Sequence, residues 1–580
     1  MRKLFAIAAV FLLAPLAVLA GDGADQQARA LFDAEWQWRL QSQPEYATII
    51  GDNRFDATLA DTSLAGMRAA LAQQRKQLDA ARAIERDKLG AQNQLSLDLF
   101  IYQKEQQLKA AAFTPFNPQP LSGQQGIQIG FVQVVAHMPF ATETDYRNYL
   151  ARLDALPAHI TGLIEQMREG MRTGWVPPKA VLRTVPATLK QLRESAVTGA
   201  LGQPFRQIPA TIDKPVRDAL AAAGPLALRT KVMPALQELD DFVRTEYLPA
   251  ARATIGASAL PGGQDYYALL VAQHTGASMT PAEIHALGLK EVARLQALVP
   301  AAIARTGFSG SLAKFSAFAN SDARLFAASP DALLARYRRI IARSAEGLPK
   351  LFAALPRQEL LVKPATILAG AEQGAAWYEA GANAAFVVNT SRLAIHPLWA
   401  METLALHEAL PGHHLQVARA QEMTELPAFR RYGWNAGYGE GWATYAESLG
   451  PELGMFKEPF SAFGQLNAEL FRAARLVVDT GIHAKGWTRQ QAVDYLNANT
   501  ANPASDNEIE VDRYIAWPGQ ALGYKLGQLK IQALRDKAQA ALGDGFDVRR
   551  FHAVILDNGP LPLPFLEQQV DLWLAAAVHN

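Results

Sequence analysis

The sequence predicts a large, mainly helical protein. Ala, Leu, Gln, Glu and Arg dominate long stretches of the chain, apolar residues recur there at three- and four-residue spacing, and few segments alternate as strands do. The chain has 580 residues, of which 49% are hydrophobic and 19% charged. This is enough to bury an extensive core, and it excludes a disordered polyampholyte.

Predicted helices are spread over the whole chain. The clearest begins at Thr280, where Pro281 suits the first turn and Glu283 completes a capping box. Two segments resemble strands, Gly126 to Ala136 and Ala385 to Thr390. Further helices are predicted at residues 27–42, 63–85, 93–112, 145–172, 216–255, 331–354 and 459–479.

The N-terminal residues indicate export. Arg2 and Lys3 precede an apolar run from Leu4 to Leu19. This run contains Pro15 and is shorter than the roughly 20 residues that span a bilayer. We therefore predict a signal peptide that is cleaved after Ala20, and a periplasmic or secreted mature protein without stable membrane insertion.

The composition narrows the possible chemistry. Cysteine is absent, which excludes disulfides, thiol nucleophiles and thiolate metal sites, so any metal must be held by His, Asp or Glu. A lipoprotein signal would need a cysteine at the cleavage point, where Gly21 stands. The 56 basic and 55 acidic residues nearly balance, so no basic field is available to hold nucleic acid.

The simplest domain organisation is one large helical domain over residues 21–580. Turn-rich breaks near 113–125 and 256–263 are too short to be linkers. Two lobes, at 25–250 and 260–580, could meet at a central cleft, with the motifs that carry chemistry between residues 386 and 530.

Three of the 11 histidines lie within the eight-residue segment HEALPGHH, which begins at His407. A helical H-E-x-x-H motif places two zinc-binding imidazoles on one face, next to a glutamate that acts as general base. Here Pro411 occupies the position of the second histidine. In an unbroken helix, His413 would lie nearly opposite His407, and His414 would lie about 10.5 Å farther along the axis.

The dipeptide Pro411-Gly412 predicts a break in this helix. Proline removes a backbone donor, and glycine accepts unusual torsions. If two residues loop out, His413 becomes the second ligand, whereas His414 requires three, so we prefer His413 and keep His414 as the alternative ligand. The competing interpretation is a helix end followed by two surface histidines.

A second motif, YGEGWATYAE, covers residues 438–447. It resembles the N-E-G-F-A type segment of gluzincin metallopeptidases, in which a helical glutamate is the third zinc ligand. The resemblance implies that Glu440 is this ligand. Glu447, seven residues later and on the same helix face, could orient a histidine ligand.

Four segments together resemble the signature blocks of a bacterial family known as domain of unknown function 885: HEALPGHHLQ, YGEGWATYAE, RLVVDTGIHAKGW and RYIAWPGQALGYKLG. Weaker similarity, as at residues 260–275, extends the resemblance to nearly the whole mature chain. The family is regarded as a zincin-like metallopeptidase group. The resemblance therefore implies a helical zincin-like fold with a central cleft, a small β element beside the active-site helix, bound Zn²⁺ and a peptide substrate.

Hydrolysis at zinc suggests a role for each residue of the first two motifs. His407, His413 and Glu440 would hold the ion, which lowers the pKa of a bound water and polarises the scissile carbonyl. Glu408 would take the proton of this water and later pass it to the leaving amine.

Further residues are candidates for contacts with the substrate. The developing oxyanion needs a donor, for which Tyr524 is the first candidate and His483 the second. Arg513 and Lys525 could pair with the carboxylate at a peptide C-terminus. The segment from Phe386 to Asn389 could be an edge strand that pairs with an extended substrate. Four tryptophans are expected in the core, at positions 434, 442, 487 and 517.

The leading functional hypothesis is an exported zinc-dependent peptidase that acts on short peptides or chain ends. One alternative is a zinc hydrolase of non-peptide amides or esters. Another is a catalytically inactive periplasmic binding protein on the same scaffold. The sequence contains no G-x-S-x-G motif and no glycine-rich phosphate loop before a helix.

Overall fold

The computed structural model describes residues 21–365, 374–381 and 383–578. The predicted signal peptide at residues 1–20 lies outside this range. Within it the protein is mainly helical with one small three-stranded sheet, as the sequence predicts. Among the described helices, none is both long and apolar enough to cross a membrane.

Seventeen α-helices precede the sheet in the described chain. They are α1 (Gly21–Ser42), α2 (Pro44–Ile49), α3 (Leu64–Arg82), α4 (Ala91–Phe113), α5 (Ile127–His137), α6 (Glu143–Thr173), α7 (Lys179–Leu182), α8 (Val185–Glu194), α9 (Gln203–Arg206), α10 (Lys214–Ala227), α11 (Met233–Phe242), α12 (Leu248–Ala250), α13 (Gly263–Thr275), α14 (Pro281–Gln296), α15 (Val299–Arg305), α16 (Leu312–Ala319) and α17 (Pro330–Leu351).

The three strands and the remaining helices follow. The strands are β1 (Leu361–Pro364), β2 (Ala376–Glu379) and β3 (Ala385–Val388). The helices are α18 (Met401–Glu408), α19 (His413–Glu422), α20 (Ala428–Arg431), α21 (Ala436–Ser448), α22 (Pro459–Lys485), α23 (Arg489–Asn499), α24 (Ala504–Ala516), α25 (Leu522–Leu542), α26 (Val548–Leu556) and α27 (Leu563–Val578).

The helices predicted from apolar spacing are present in the structure. The predicted segment 216–255 comprises α10 to α12, which are joined by π-helical turns at Leu228–Val232 and Val243–Tyr247. The capping box of α14 is also present, because the Thr280 hydroxyl accepts a bond from the Glu283 backbone N–H and the Glu283 carboxylate accepts one from the Thr280 N–H.

The strand prediction for Gly126 to Ala136 is wrong, because this segment forms helix α5. Its buried side chains include Phe131, Val134 and Val135, which follow helical spacing rather than the alternation of a strand. The helix packs against α2 and α8. This tertiary packing overrides the preference of valine and isoleucine for strands.

The sheet has the order β1-β3-β2, in which β3 pairs in parallel with β1 and antiparallel with β2. The strand predicted at Ala385 to Thr390 is present as β3, and its residues are fully buried. It is the central strand, so the prediction of a substrate-binding edge at Phe386 to Asn389 is wrong. The edge strand that contacts α18 is β2.

Helices α21 and α25, which carry the motifs YGEGWATYAE and GYKLG, make a close backbone contact. A Cβ atom on Gly441 would lie 2.5 Å from Gly527 Cα, and one on Gly527 would overlap the Gly437 carbonyl oxygen. Because only glycine lacks a Cβ atom, only glycine permits this approach. The contact fixes the distance between Glu440 on α21 and Tyr524 on α25.

We expect Gly527→Ala to lower the free energy of unfolding by about 2 kcal/mol or more, because the added methyl overpacks the contact between α21 and α25. Gly130→Ala, in the middle of α5, is the matched control, since nothing lies within 4 Å of its Cβ position. It should raise stability by up to about 1 kcal/mol. Urea denaturation measures both changes, and equal effects would contradict the packing argument.

Candidate metal centre

The chain breaks between α18 and α19, at residues 409–412. The bond between Leu410 and Pro411 is cis. A Cβ atom at Gly412 would overlap the carbonyl oxygen of His407, so the tight return of the chain requires glycine. The predicted interruption is therefore present, and it brings His413 back beside His407.

Two imidazoles and one carboxylate converge at this break. The rings of His407 and His413 are nearly perpendicular, with centroids 4.8 Å apart. The Oε2 atom of Glu440 lies 3.5 Å from His407 Nε2 and 3.4 Å from His413 Nε2. Bonds of about 2.1 Å around a tetrahedral zinc ion separate neighbouring ligand atoms by about 3.4 Å. All three residues are buried, and the two distances from Glu440 to the histidines match this separation.

Glu408 lies beside the two histidines. One ligand atom from each of His407, Glu408 and His413 lies within 4.8 Å of the other two. The Oε2 atom of Glu408 accepts a hydrogen bond from the Tyr378 backbone N–H on β2, at 3.1 Å. The edge strand thus holds this carboxylate next to the convergent ligand atoms.

The orientation of His407 is set by Glu447. The Nδ1 atom of His407 lies 2.8 Å from Glu447 Oε1, which also accepts a bond from Arg472 Nη2 at 3.1 Å. A carboxylate at Nδ1 favours a proton on that nitrogen and leaves Nε2 for a ligand. Glu447 therefore makes the contact with a histidine that its sequence position suggested.

Glu440 is oriented from its other side. While Oε2 faces the two imidazoles, Oε1 accepts a hydrogen bond from Gln520 Nε2 at 3.3 Å. The Oε1 atom of Gln520 in turn accepts a bond from Arg513 Nη1 at 2.8 Å. This chain of contacts holds the Glu440 carboxylate with a single oxygen toward the imidazoles.

The carboxylates determine the charge of the metal-free centre. Burial opposes a charged imidazole, but the hydrogen bonds that His407 donates to Glu440 and Glu447 outweigh it and raise the pKa of His407 to about 9. Burial also opposes ionisation of Glu440, yet its bonds to His407 and His413 lower its pKa well below the usual value. The centre thus favours positive charge between its carboxylates.

Tyr524 lies against this centre. Its ring stacks on the His407 ring, with centroids 6.0 Å apart and planes 11° from parallel. The guanidinium carbon atoms of Arg475 and Arg472 lie 4.1 Å and 5.3 Å from the centre of the Tyr524 ring. Burial and the charge of Glu440 raise the pKa of Tyr524, so its phenol stays protonated at neutral pH.

His414 does not join the cluster. Its Nε2 atom lies 3.0 Å from the Gln358 carbonyl oxygen, and its Nδ1 atom lies 3.4 Å from the Tyr378 hydroxyl. Burial lowers the pKa of His414, so the ring is neutral. The geometry therefore agrees with the preference for His413 and excludes His414 as an alternative ligand in this arrangement.

His483 is not placed to act as an oxyanion donor, which corrects the second candidate for that role. It is fully buried, its Nδ1 atom accepts a bond from the Ala257 N–H at 3.0 Å, and its Nε2 atom lies 3.0 Å from the Tyr514 carbonyl oxygen. Burial lowers the pKa of His483 to about 3. Both ring nitrogens are engaged with the backbone, so the residue is structural.

Lys525 and Asn389 are not available to a substrate, contrary to the sequence prediction. Lys525 is 1% exposed, and its Nζ atom lies 2.8 Å from Glu469 Oε1 and 2.9 Å from Gln528 Oε1. Asn389 is fully buried, and its Oδ1 atom accepts a bond from Ser391 Oγ at 2.6 Å. Both side chains stabilise the interior.

Arg513 is already paired, so the predicted bond to a substrate carboxylate is not supported. Its Nε and Nη2 atoms donate to the two oxygens of Glu510 at 3.1 Å and 2.8 Å. Through Gln520 the same guanidinium reaches the Glu440 carboxylate. Arg513 therefore helps to orient Glu440 indirectly, by holding Gln520 in place.

Several residues near the centre were missed by the sequence reasoning. Gln520 lies within the block RYIAWPGQALGYKLG, so that block held a signal for it. Arg472 lies three residues before the block RLVVDTGIHAKGW, and no motif at that position indicated its contact with Glu447. Trp434 was expected in the core, but it is 54% exposed, and its ring centroid lies 5.6 Å from that of His413. Trp442, by contrast, is fully buried.

Comparison with known proteins identifies a family and solved structures to which the chain is similar. The family model described as "Bacterial protein of unknown function (DUF885)" matches residues 44–570. The crystal structure of "the putative lipoprotein from Colwellia psychrerythraea" matches with a TM-score of 0.90 and 28% identity, over 95% of this chain and 100% of that chain. No curated protein matches the chain.

A second solved structure, of "a putative lipoprotein of unknown function from Shewanella oneidensis", matches with a TM-score of 0.66 and 19% identity. The match covers 94% of this chain and 99% of that chain. At this identity the likeness shows a shared fold.

The metal-free protein should lose stability as the pH rises. The raised pKa of His407 means that the charged ring contributes stability that is fully present below about pH 6.5 and is lost as the pH rises through about 9. The full effect is on the order of 3 kcal/mol. Urea denaturation in the presence of a metal chelator should therefore show that Glu447→Gln loses more free energy of unfolding, relative to wild type, at pH 6 than at pH 9.5. The exposed variant Glu85→Gln is the control, and a pH-independent deficit for Glu447→Gln would contradict the assignment.

Proposed function

The chain belongs to the bacterial family of unknown function DUF885, and we propose that it is a zinc-dependent peptidase of zincin-like organisation. The observation that carries this proposal is the convergence of His407, His413 and Glu440, with Glu408 alongside. Two histidines and a glutamate form a ligand set typical of catalytic zinc, because three protein ligands leave the fourth position open.

The donor set fits zinc better than it fits calcium or magnesium. Two imidazole nitrogens suit zinc, whereas calcium and magnesium prefer oxygen ligands. The carboxylate at Nδ1 of His407 is the usual support of a zinc-binding histidine. When bound, the ion would supply Lewis acidity that polarises a carbonyl group and makes a water molecule more acidic.

Glu408 is the group that would move protons. Its carboxylate lies beside both histidines and accepts a hydrogen bond from the Tyr378 N–H, so it is placed to accept a proton from water at the centre. Returning this proton to the leaving amine would complete peptide-bond cleavage. The hydrogen bond to the backbone keeps the carboxylate near one position during this transfer.

Tyr524 would stabilise negative charge on the scissile carbonyl oxygen. Its phenol is protonated at neutral pH and can donate a hydrogen bond, and it lies against His407. The guanidinium groups of Arg472 and Arg475 beside its ring add positive charge. Preorganised donors and charges of this kind lower the energy of a developing oxyanion.

The edge strand β2 favours a peptide over other amides or esters. The Ala375 carbonyl bonds inward to Asn389 on the β3 side, so strand alternation turns the backbone groups of Ala376 and Tyr378 outward. The Tyr378 N–H reaches Glu408 from this outer edge. An extended peptide that pairs with the edge would therefore pass directly beside the catalytic carboxylate.

We also propose that the protein is exported. The positive residues and apolar run at the N-terminus support a signal peptide, and the matching structure from Colwellia psychrerythraea is described as a "putative lipoprotein".

The metal assignment predicts different behaviour of two adjacent histidines. Wild-type protein should bind one zinc ion per chain, and His413→Asn should weaken this binding by about a hundredfold or more, because it removes a ligand. His414→Asn is the matched control and should bind zinc nearly as well as wild type. Competition with a chromophoric chelator measures the affinities. If wild type binds no zinc, the metal proposal fails, whereas the reverse order of the two variants would contradict the ligand assignment.

The mechanism predicts that Glu408→Gln separates metal binding from turnover. This variant should keep stoichiometric zinc but lose at least about a hundredfold in kcat on peptides, because the general base is gone. The control is Glu425→Gln, at an exposed position. The glutamate at position 402 would not serve, because its buried carboxylate accepts a structural hydrogen bond from Ser461. Undiminished turnover by Glu408→Gln would refute the mechanism, and hydrolysis of esters but not peptides would change the substrate class.

A further inference from the structure

A cavity of about 630 Å³ lies beside the candidate metal centre. Trp434 links the two, because it lines the cavity and its ring also packs against His413 at 5.6 Å between centroids. The adjacent Asn435 lines the cavity as well and caps α21, the helix that carries Glu440. Trp434 and Asn435 therefore place this cavity on the His413 side of the metal centre.

The lining of this cavity is polar and aromatic but almost uncharged. Twelve of its 25 described lining residues carry a side-chain amide or a phenol, and Arg39 is the one described lining residue with an ionised side chain. The Arg39 guanidinium is already paired, with Nη2 lying 2.7 Å from Glu35 Oε1. Burial raises the pKa of Tyr46, one of the phenols, to about 12, so this group stays neutral at physiological pH.

A second cavity, of about 760 Å³, provides the contrast. It is lined by charged residues, among them Arg357, Glu379 and Glu422. Its lining includes Trp377 and Glu379 of β2, so it lies on the side of the centre where the Tyr378 N–H meets Glu408. The uncharged cavity instead adjoins the His413 side, through Trp434.

We propose that the cavity beside Trp434 is the substrate subsite on the His413 side and that it selects uncharged polar or aromatic side chains. This inference rests on the proposed peptidase function. A charged side chain entering the cavity would lose water without gaining a free partner of opposite charge, which is costly. Neutral side chains can use the amides of the wall, which both donate and accept hydrogen bonds, and can pack on the exposed ring of Trp434.

Gln103 offers a direct test of this selectivity. It lines the cavity from α4, and replacing it with glutamate adds one charge with almost no change in size. Gln133 lines the other cavity from α5, so Gln133→Glu is the matched control. Trp434→Ala tests the aromatic contact.

The experiment measures kcat/KM for peptides of equal length that carry Gln, Tyr, Lys or Glu next to the scissile bond, on each side in turn. Wild type should prefer Gln and Tyr over Lys and Glu by about tenfold on one side of the bond. Gln103→Glu should shift the Lys-to-Gln ratio at that side by about tenfold toward Lys, while Gln133→Glu leaves the ratio unchanged. Trp434→Ala should lower kcat/KM for the Tyr peptide more than for the Lys peptide.

The possible failures are distinguishable. Equal kcat/KM for neutral and charged peptides in the wild type, or an unchanged ratio in Gln103→Glu, would overturn the subsite while leaving the peptidase intact. If no peptide is cleaved by the zinc-loaded protein, the proposed function fails. Equilibrium binding of the same four peptides to wild type, Gln103→Glu and Gln133→Glu then tests the selectivity of the cavity. The dissociation constants should follow the order expected for kcat/KM, with Gln and Tyr peptides bound most tightly by wild type.

Discussion

The candidate site depends on mutual compensation among buried charges. An unpaired carboxylate in the interior costs several kcal/mol, yet Glu440 and Glu447 are both almost fully buried. Glu440 faces the imidazoles of His407 and His413, and Glu447 faces His407 and Arg472. Removal of any one of these groups leaves another charge without its partner. The arrangement is therefore cooperative, and a divalent cation between its carboxylates would complete the balance of charge.

Glycine makes this arrangement sterically possible. Gly412 allows the chain to fold back against the carbonyl of His407, which brings the two imidazoles to one point. Gly441 and Gly527 let α21 and α25 approach closely, which sets Glu440 and Tyr524 on facing helices. The side chains of the candidate site thus owe their positions to neighbouring residues that have no side chain.

Two different surfaces adjoin the proposed zinc site. On one side, the backbone of β2 reaches Glu408 through the Tyr378 N–H. On the other side, Trp434 connects His413 with an uncharged cavity. Backbone pairing recognises any extended peptide, whereas a cavity discriminates among side chains. In the proposed function, the first surface would supply general affinity and the second would supply specificity.

The sequence by itself determined what depends on local spacing: the helical class, the break at Pro411-Gly412 and the helix position of Glu440. Motif resemblance added the family, because its blocks are short and contiguous. Only the tertiary structure decided which distant side chains surround these motifs. In the folded protein His483 bonds to backbone groups, Lys525 pairs with buried acceptors, and Gln520 donates a hydrogen bond to Glu440. The reason is physical: local periodicity fixes the direction of a side chain relative to its own helix, whereas its partners depend on how separate helices pack.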